Sequence, residues 1–290
     1  MSALVAAVRP RQWLKNVLVV GAPIAAGRAH EGSVVRATLV AFVALCLAAS
    51  STYLVNDVHD AAEDRGHPRK RSRPVASGAL SVPAALAVAA VLAVAALALA
   101  ALSSRGLVLL VAAYLLLTVG YTVRLRREPV VELVVVAAGF VLRGAGGGVA
   151  ADIPVSSWFL LVAGFGSLFL VAGKRYAELV VVPSRLGGRA TLDAYTPGFL
   201  RFVWTSAATL TIVAYALWAT QVYVVRDEGS WALWSIVPFV LALFRYALDI
   251  DGGRAEAPED VLLADRTLVV LGVVWVLMLA VGAGGYDLGF

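Results

Sequence analysis

The sequence predicts an all-α, polytopic membrane protein with nine transmembrane helices. Three observations predict it. The 290 residues are 61% hydrophobic and only 15% charged, with a mean hydropathy of +0.86. A soluble domain is nearer half apolar and a quarter charged. The apolar residues also gather into long runs, of which 82–102 carries no charge at all. About 20 such residues cross a hydrocarbon core as a helix. Finally, Lys and Arg are concentrated on alternate connections between the runs, as positive-inside topology requires. Disordered, collagen-like and disulfide-scaffold classes are excluded.

The spans fall at 14–27, 34–55, 82–102, 107–123, 130–149, 155–173, 202–225, 231–248 and 267–285. The first is the weakest, because Pro23 interrupts it and Lys15 sits at its edge. It is preceded by Arg9, Arg11 and the dense segment RPRQWLKN, which reads as an uncleaved first span rather than a signal peptide. The second runs straight into Asn56 and Asp57. The fifth carries Arg143 beside Gly144, Gly146, Gly147 and Gly148, an arrangement open to a packing or a substrate role. The sixth ends in Gly173-Lys174-Arg175-Tyr176-Ala177-Glu178-Leu179. No soluble domain or strong internal repeat is visible, so residues 1–290 read as one membrane domain. The single Cys46 lies in an apolar run and has no intramolecular disulfide partner.

Orientation follows from the basic residues. With the N-terminus in the cytoplasm, the inward segments carry three, five, three, five and three of the 24 Lys and Arg. Only Arg28, Arg36, Arg105, Arg143 and Arg226 remain. The three long connections then face the cytoplasm, and the C-terminus lies outside. The net charge of +5 is thereby explained as a membrane-surface bias, with no nucleic-acid partner.

Chemistry is densest at the end of the second span, Asn56-Asp57-Val58-His59-Asp60-Ala61-Ala62-Glu63-Asp64. Asn56, Asp60 and Asp64 are spaced by four and line one face of a helix, drifting about 40° per step over roughly 12 Å. That reach suits a diphosphate bridged by Mg²⁺. Like charges at a membrane boundary repel, and a hard cation with oxygen ligands relieves this; a solvated acidic helix end is the plainer alternative. The following Arg65, Arg69, Lys70, Arg71 and Arg73 can hold anionic oxygens, Lys70 and Arg73 above all. Arg69 and Arg71 serve equally well as ordinary flanking charge. His59 and His67 do not make a zinc site, and His67 before Pro68 shapes a turn.

NDVHDAAEDRGHPRKRSRP, as NDxxDxxxDxxHPxKxxRP, resembles the first aspartate-rich motif of the UbiA prenyltransferase superfamily. With the span count and the long cytoplasmic connections, the resemblance covers essentially the whole chain. It implies an intramembrane helical transferase that uses Mg²⁺ to activate a diphosphate leaving group. Asn56, Asp57, Asp60 and Asp64 would be the Mg²⁺–diphosphate residues, with Asp57, Asp60 and Asp64 also catalytic.

The chain departs from the usual pattern at the end of the sixth span. Lys174 and Arg175 stand where that superfamily has a second aspartate motif, leaving Glu178 as the only acid. Arg185, Arg189 and Arg201 add charge along the same connection. A donor with a further phosphate, bound directly by Lys and Arg, suits such a site. RPRQWLKNVLV, GKRYAEL and EAPEDVLLADRTLVVLG resemble one branch, the decaprenyl-phosphate phosphoribosyltransferases. That resemblance implies phosphoribosyl pyrophosphate as donor, a polyprenyl phosphate as acceptor, membrane lipids around the fold and the plasma membrane as location, with a homo-oligomer left open. Lys174 and Arg175 would hold the 5-phosphate or the acceptor phosphate. Tyr176 would hydrogen-bond either, so Lys174 and Tyr176 join the catalytic set and Glu178 the substrate-binding one.

Other residues are weighed beside these. Lys15 and Asn16 enter an apolar continuation and are expected to face a polar, substrate-binding cavity; Arg9, Arg11, Gln12 and Trp13 serve equally as an interfacial anchor. Asp249, Asp251, Glu256, Glu259, Asp260 and Asp265 form an acidic patch, solvated, paired in salt bridges or near the donor. Trp158, Trp204, Trp231 and Trp234 read as packing or interface residues, and Tyr121-Thr122 as helix-end packing. The competing functions are an aromatic prenyltransferase with a prenyl diphosphate donor, against which Lys174 and Arg175 stand, and a transporter, which needs no such metal-ligand helix.

Overall fold

A computed structural model describes residues 3–68, 70–181, 191–226, 231–255, 261 and 264–283. All regular structure among them is helical. In chain order the α-helices are α1 (Ala3–Val8), α2 (Gly21–Ala25), α3 (Gly32–His59), α4 (Ala61–Gly66), α5 (Val82–Ala101), α6 (Arg105–Val123), α7 (Val131–Ala150), α8 (Ser157–Val181), α9 (Pro197–Arg226), α10 (Trp231–Trp234), α11 (Ile236–Asp251) and α12 (Arg266–Ala283). A 3₁₀ segment, Pro10–Val20, stands between α1 and α2.

Among the described residues, seven helices are long and apolar enough to cross a bilayer. They match the second to eighth predicted spans. The ninth is represented by α12, whose shorter apolar stretch is Arg266–Leu279. The first predicted span is corrected: it is not a continuous α-helix but the 3₁₀ segment followed by α2. Pro10 opens the segment with a fixed φ, and Pro23, lacking an N–H, cannot donate to Val19. The eighth span breaks at Ser235, where Pro238 occupies the first turn of α11, the one turn that tolerates it.

The chain forms two compact units. Unit 1 comprises Met1–Pro23, Ala29–Val135 and Leu142–Val155; unit 2 comprises Ile24–Arg28, Val136–Val141 and Ser156–Phe290. Packing in unit 1 inverts the soluble rule. Ala41, Ala44, Ala48 and Ala49 of α3 and Ala85, Ala89, Ala96 and Ala100 of α5 are buried, whereas Val91, Leu102, Leu109 and Leu116 are 67–82% exposed. Without water to drive association, membrane helices pack through small residues that let backbones approach, and large apolar side chains face lipid. Ser51 satisfies its hydroxyl inside that interface by donating to the Ala89 carbonyl at 2.8 Å.

Unit 2 is held by rings instead. Phe169 packs against Trp204 and Tyr246, with centroids 6.3 and 5.7 Å away. Tyr215 stacks on Phe239 at 4.1 Å, receives the Trp275 indole N–H at 2.8 Å and bonds the Ser235 hydroxyl at 2.7 Å. Near the end of α8, a Cβ on Gly173 would collide with the Ile250 side chain, so only glycine admits α11 there.

Candidate active site

The carboxylates of unit 1 stand where α3 hands over to α4. Asp60 is the joint (φ −90°, ψ −2°) and ends α3. The backbone bonds Asp60 N–H to Asn56 O (2.9 Å) and Asp64 N–H to Asp60 O (2.8 Å) run through it, so the spacing of four survives the break. The side chains nevertheless sort into two pairs. Asp57 and Asp64, two turns apart, are each 1% exposed and share one guanidinium: Arg73 Nη1 lies 2.7 Å from Asp64 Oδ2 and 3.4 Å from Asp57 Oδ1. Asp60 accepts from Arg126 Nη1 at 2.6 Å and from Asn56 Nδ2 at 3.0 Å. Asn56 Oδ1 is met by the Thr122 hydroxyl at 3.4 Å. Asp57 also takes a guanidinium N–H from Arg9.

These donors fit a hard divalent cation. All are oxygens or can present one, and Asp57 Oδ2 is buried with no hydrogen-bond partner, an acceptor that a cation would satisfy. Among the described residues no three acids converge on one point; Arg73 stands between Asp57 and Asp64 in that role. Lys70 opens a 3₁₀ turn, and its backbone N–H donates to His67 Nδ1 at 3.3 Å, so His67 shapes the turn as its place before Pro68 implied. Arg69 lies outside the described residues.

Lys15 and Asn16 part company. Asn16 is fully buried, donates from Nδ2 to Cys46 Sγ (3.2 Å) and accepts from Arg143 Nε (2.9 Å). Lys15 is half-buried.

In unit 2 the basic segment lies in the last turns of α8. Lys174 Nζ and Arg175 Nη1 reach the two oxygens of Glu178 at 3.9 and 2.8 Å. Arg175 is buried, whereas the Lys174 side chain is 37% exposed. Tyr176 is buried edge-on to Trp204, with centroids 6.3 Å apart. Its hydroxyl accepts from Arg201 Nη2 at 2.6 Å, and that guanidinium also pairs with Asp251 at 2.9 Å. The described acids of the patch, Asp249, Asp251 and Asp265, are ion-paired: Asp251 with Arg201, Asp249 with Arg254 at 2.7 Å, Asp265 with Arg245 at 2.6 Å. Arg185, Arg189, Glu256, Glu259 and Asp260 lie outside the described residues.

The basic-residue count places Arg9 and Arg126 among the inward-facing charges, Arg9 serving equally as an anchor, and Arg201 falls in the basic connection that suits a further phosphate. Their partners lie 48, 66 and 25 residues away, and no local pattern announces contacts of that range. For Arg143 the signal was present, since an arginine inside a span must face a polar partner.

Comparison with known proteins agrees with this architecture. The model of the UbiA prenyltransferase family matches residues 17–267. A decaprenyl-phosphate phosphoribosyltransferase of Mycolicibacterium smegmatis is 45% identical over 289 residues, covering 95% of this chain and 91% of that protein. A decaprenyl-phosphate phosphoribosyltransferase of Mycobacterium tuberculosis is 46% identical over 284 residues, covering 95% and 92%. The solved structure of a UbiA homolog from Archaeoglobus fulgidus bound to GPP and Mg²⁺ superimposes with a TM-score of 0.74 over 98% of this chain and 100% of that one, at 17% identity, a likeness of fold. The aspartate motif at the end of α3, the helical membrane architecture and the match over 17–267 converge: this chain belongs to the UbiA prenyltransferase family.

Proposed function

We propose that this protein transfers the 5-phosphoribosyl group of phosphoribosyl pyrophosphate to a polyprenyl phosphate, releasing diphosphate, at the cytoplasmic side of the plasma membrane. The observation that carries the reading is the end of α8. Its one acid, Glu178, is already shared by Lys174 and Arg175, so this segment binds anions rather than metal. The names of the relatives 45–46% identical over 95% of the chain support the same substrates.

In the reaction the bond from ribose C1 to diphosphate oxygen breaks, the electron pair leaving with diphosphate. An oxygen of the lipid phosphate bonds to C1 with inversion. That oxygen is already anionic, so positioning matters more than a general base. A divalent cation, when bound, neutralises charge developing on the leaving diphosphate. Asp57, Asp60 and Asp64, with the Asn56 carbonyl, would hold it, and Arg73 would carry its charge from carboxylate to phosphate oxygens. Lys174, Arg175 and Tyr176 take the donor 5-phosphate or the acceptor phosphate, with Glu178 holding the two cations in place. Lys15 and Lys70 supply further positive charge. All 290 residues serve as one transferase domain in this account, with the N-terminus cytoplasmic, as the basic-residue count requires.

The test supplies purified protein in detergent with polyprenyl phosphate, Mg²⁺ and radiolabelled phosphoribosyl pyrophosphate. Label is expected in the lipid phase, and EDTA should stop its appearance. Absence of label, with prenylation of an aromatic acid from a prenyl diphosphate, would replace this reading by the aromatic one.

A further inference from the structure

The N-terminal 3₁₀ segment is laid antiparallel along one face of α3. Arg9 meets Asp57 and sits 5.1 Å over the Tyr53 ring. Trp13 Nε1 donates to Ser50 Oγ at 3.0 Å, and Asn16 Nδ2 to Cys46 Sγ at 3.2 Å. The two registers match. Seven residues at a 3₁₀ rise of about 2.0 Å cover about 14 Å, and the eleven from Cys46 to Asp57 at about 1.5 Å cover about 16 Å. Side chains three apart eclipse in a 3₁₀ helix, so Trp13, Asn16 and Val19 share the inward row, while Leu14, Val17 and Val20 are exposed.

Arg9 itself is strained. It is left-handed (φ 53°, ψ 61°), a conformation that non-glycine residues avoid and that the following Pro10 disfavours further. Such a residue persists only where its surroundings over-determine it. On one side Ser50 Oγ donates to the Val8 carbonyl at 2.9 Å. On the other, the deepest anchor is Asn16, whose Oδ1 accepts from Arg143 Nε at 2.9 Å. Arg143 is fixed in turn by the Tyr114 hydroxyl, 2.5 Å from Nη2, and by the Tyr114 ring beneath it. Gly147, one turn beyond Arg143 on the same face of α7, admits the segment at backbone distance, since a Cβ there would strike the Val19 carbonyl oxygen; a Cβ on Gly148 would come within 2.8 Å of Ala22 Cβ in α2.

We infer that Arg143 is a positioning residue. By holding Asn16 it docks the N-terminal segment against α3 and so keeps the Arg9 guanidinium on Asp57. The inference rests on the carboxylate site proposed above, through Arg9, while the docking itself can be read without any activity. Cys46 is the chain's single cysteine and is 4% exposed beneath Asn16, so its alkylation by N-ethylmaleimide reports whether the segment is seated.

The experiment combines alkylation of Cys46 with the lipid-transfer assay in wild type, Arg143→Ala, Arg9→Ala, their double variant and Asp60→Asn. Arg143→Ala should speed alkylation and lower kcat/KM, each by about tenfold. Arg9→Ala should lower kcat/KM comparably with Cys46 still protected. The double variant should be no slower than the slower single one, because both changes break one route. Asp60→Asn should lose transfer with Cys46 protected. Arg143→Lys, which keeps the charge but replaces the two separately placed donors on Nε and Nη2 by a single ammonium, should fall between wild type and Arg143→Ala; it replaces the alanine variant if that one does not fold. Loss of transfer with Cys46 protected in the Arg143 variants, multiplicative losses in the double variant, or full transfer with Cys46 exposed would each overturn the inference. If wild type transfers no label at all, the functional reading fails, and slow alkylation of the Arg143 variants would still refute the docking.

Discussion

The two charged clusters are neutralised in opposite ways. In unit 1, Asp57 and Asp60 draw guanidiniums from 48 and 66 residues away, and Asp57 and Asp64 are almost fully buried. In unit 2, Glu178 takes its cations from its own helix, three and four residues back, and Lys174 remains exposed. Local pairs of that kind contribute a few tenths of a kcal/mol and exchange readily for another anion. A buried carboxylate stripped of its partner costs several kcal/mol. Asp57 and Asp60 of unit 1 are therefore held by cations distant in the chain, whereas Glu178 meets its two cations along one helix.

The sharpest way to break this comparison is to neutralise an acid. Asp60→Asn or Asp64→Asn should lower lipid transfer by more than about 100-fold, with membrane insertion intact. Rates measured at limiting Mg²⁺ check it, and near wild-type turnover there would end the carboxylate account.

A smaller effect is expected on the basic side, and it separates the two cations. Lys174→Ala should raise the donor or acceptor KM by about 10-fold, the worth of one charge-assisted hydrogen bond, without changing the melting temperature. Arg175→Ala should do the same and also lower the melting temperature, because its guanidinium is buried. Equal melting temperatures for both variants would mean that burial does not distinguish them.

The same contrast explains what could be read from the chain. Seven spans and the spacing of Asn56, Asp60 and Asp64 were legible because hydropathy and helical period are local properties. So was the Lys174–Arg175–Glu178 group. The 3₁₀ form of Pro10–Val20 was not, although Pro10 and Pro23 bracket it, because its conformation is settled by docking against α3 and against the glycines of α7. The pairing of Asp57 with Asp64 rather than of Asp60 with Asp64 depends on where Arg73 arrives after the turn at His67. Arg126 and Arg201 carried no local signature beyond their charge.

Asp265 provides the mildest and most discriminating case, because its pair is long-range like those of unit 1 yet lies near the surface like that of unit 2. Its carboxylate is held below the ordinary value of 3.8, first by the Arg245 Nε hydrogen bond at 2.6 Å, then, against the opposing effect of burial, by the N–H groups of Thr267 and Leu268 at the start of α12. A folded-state value below the unfolded one lends stability that is complete above the unfolded value and disappears as pH falls through the folded one. The melting temperature of the wild type in detergent should thus exceed that of Asp265→Asn slightly at about pH 7, and the difference should close below about pH 4. Arg245 is 39% exposed, so solvent screens the pair and the difference should be smaller than that produced by Asp64→Asn. Were the two differences equal, separation along the chain rather than burial would set the worth of these ion pairs, and the contrast between the two units would need another cause.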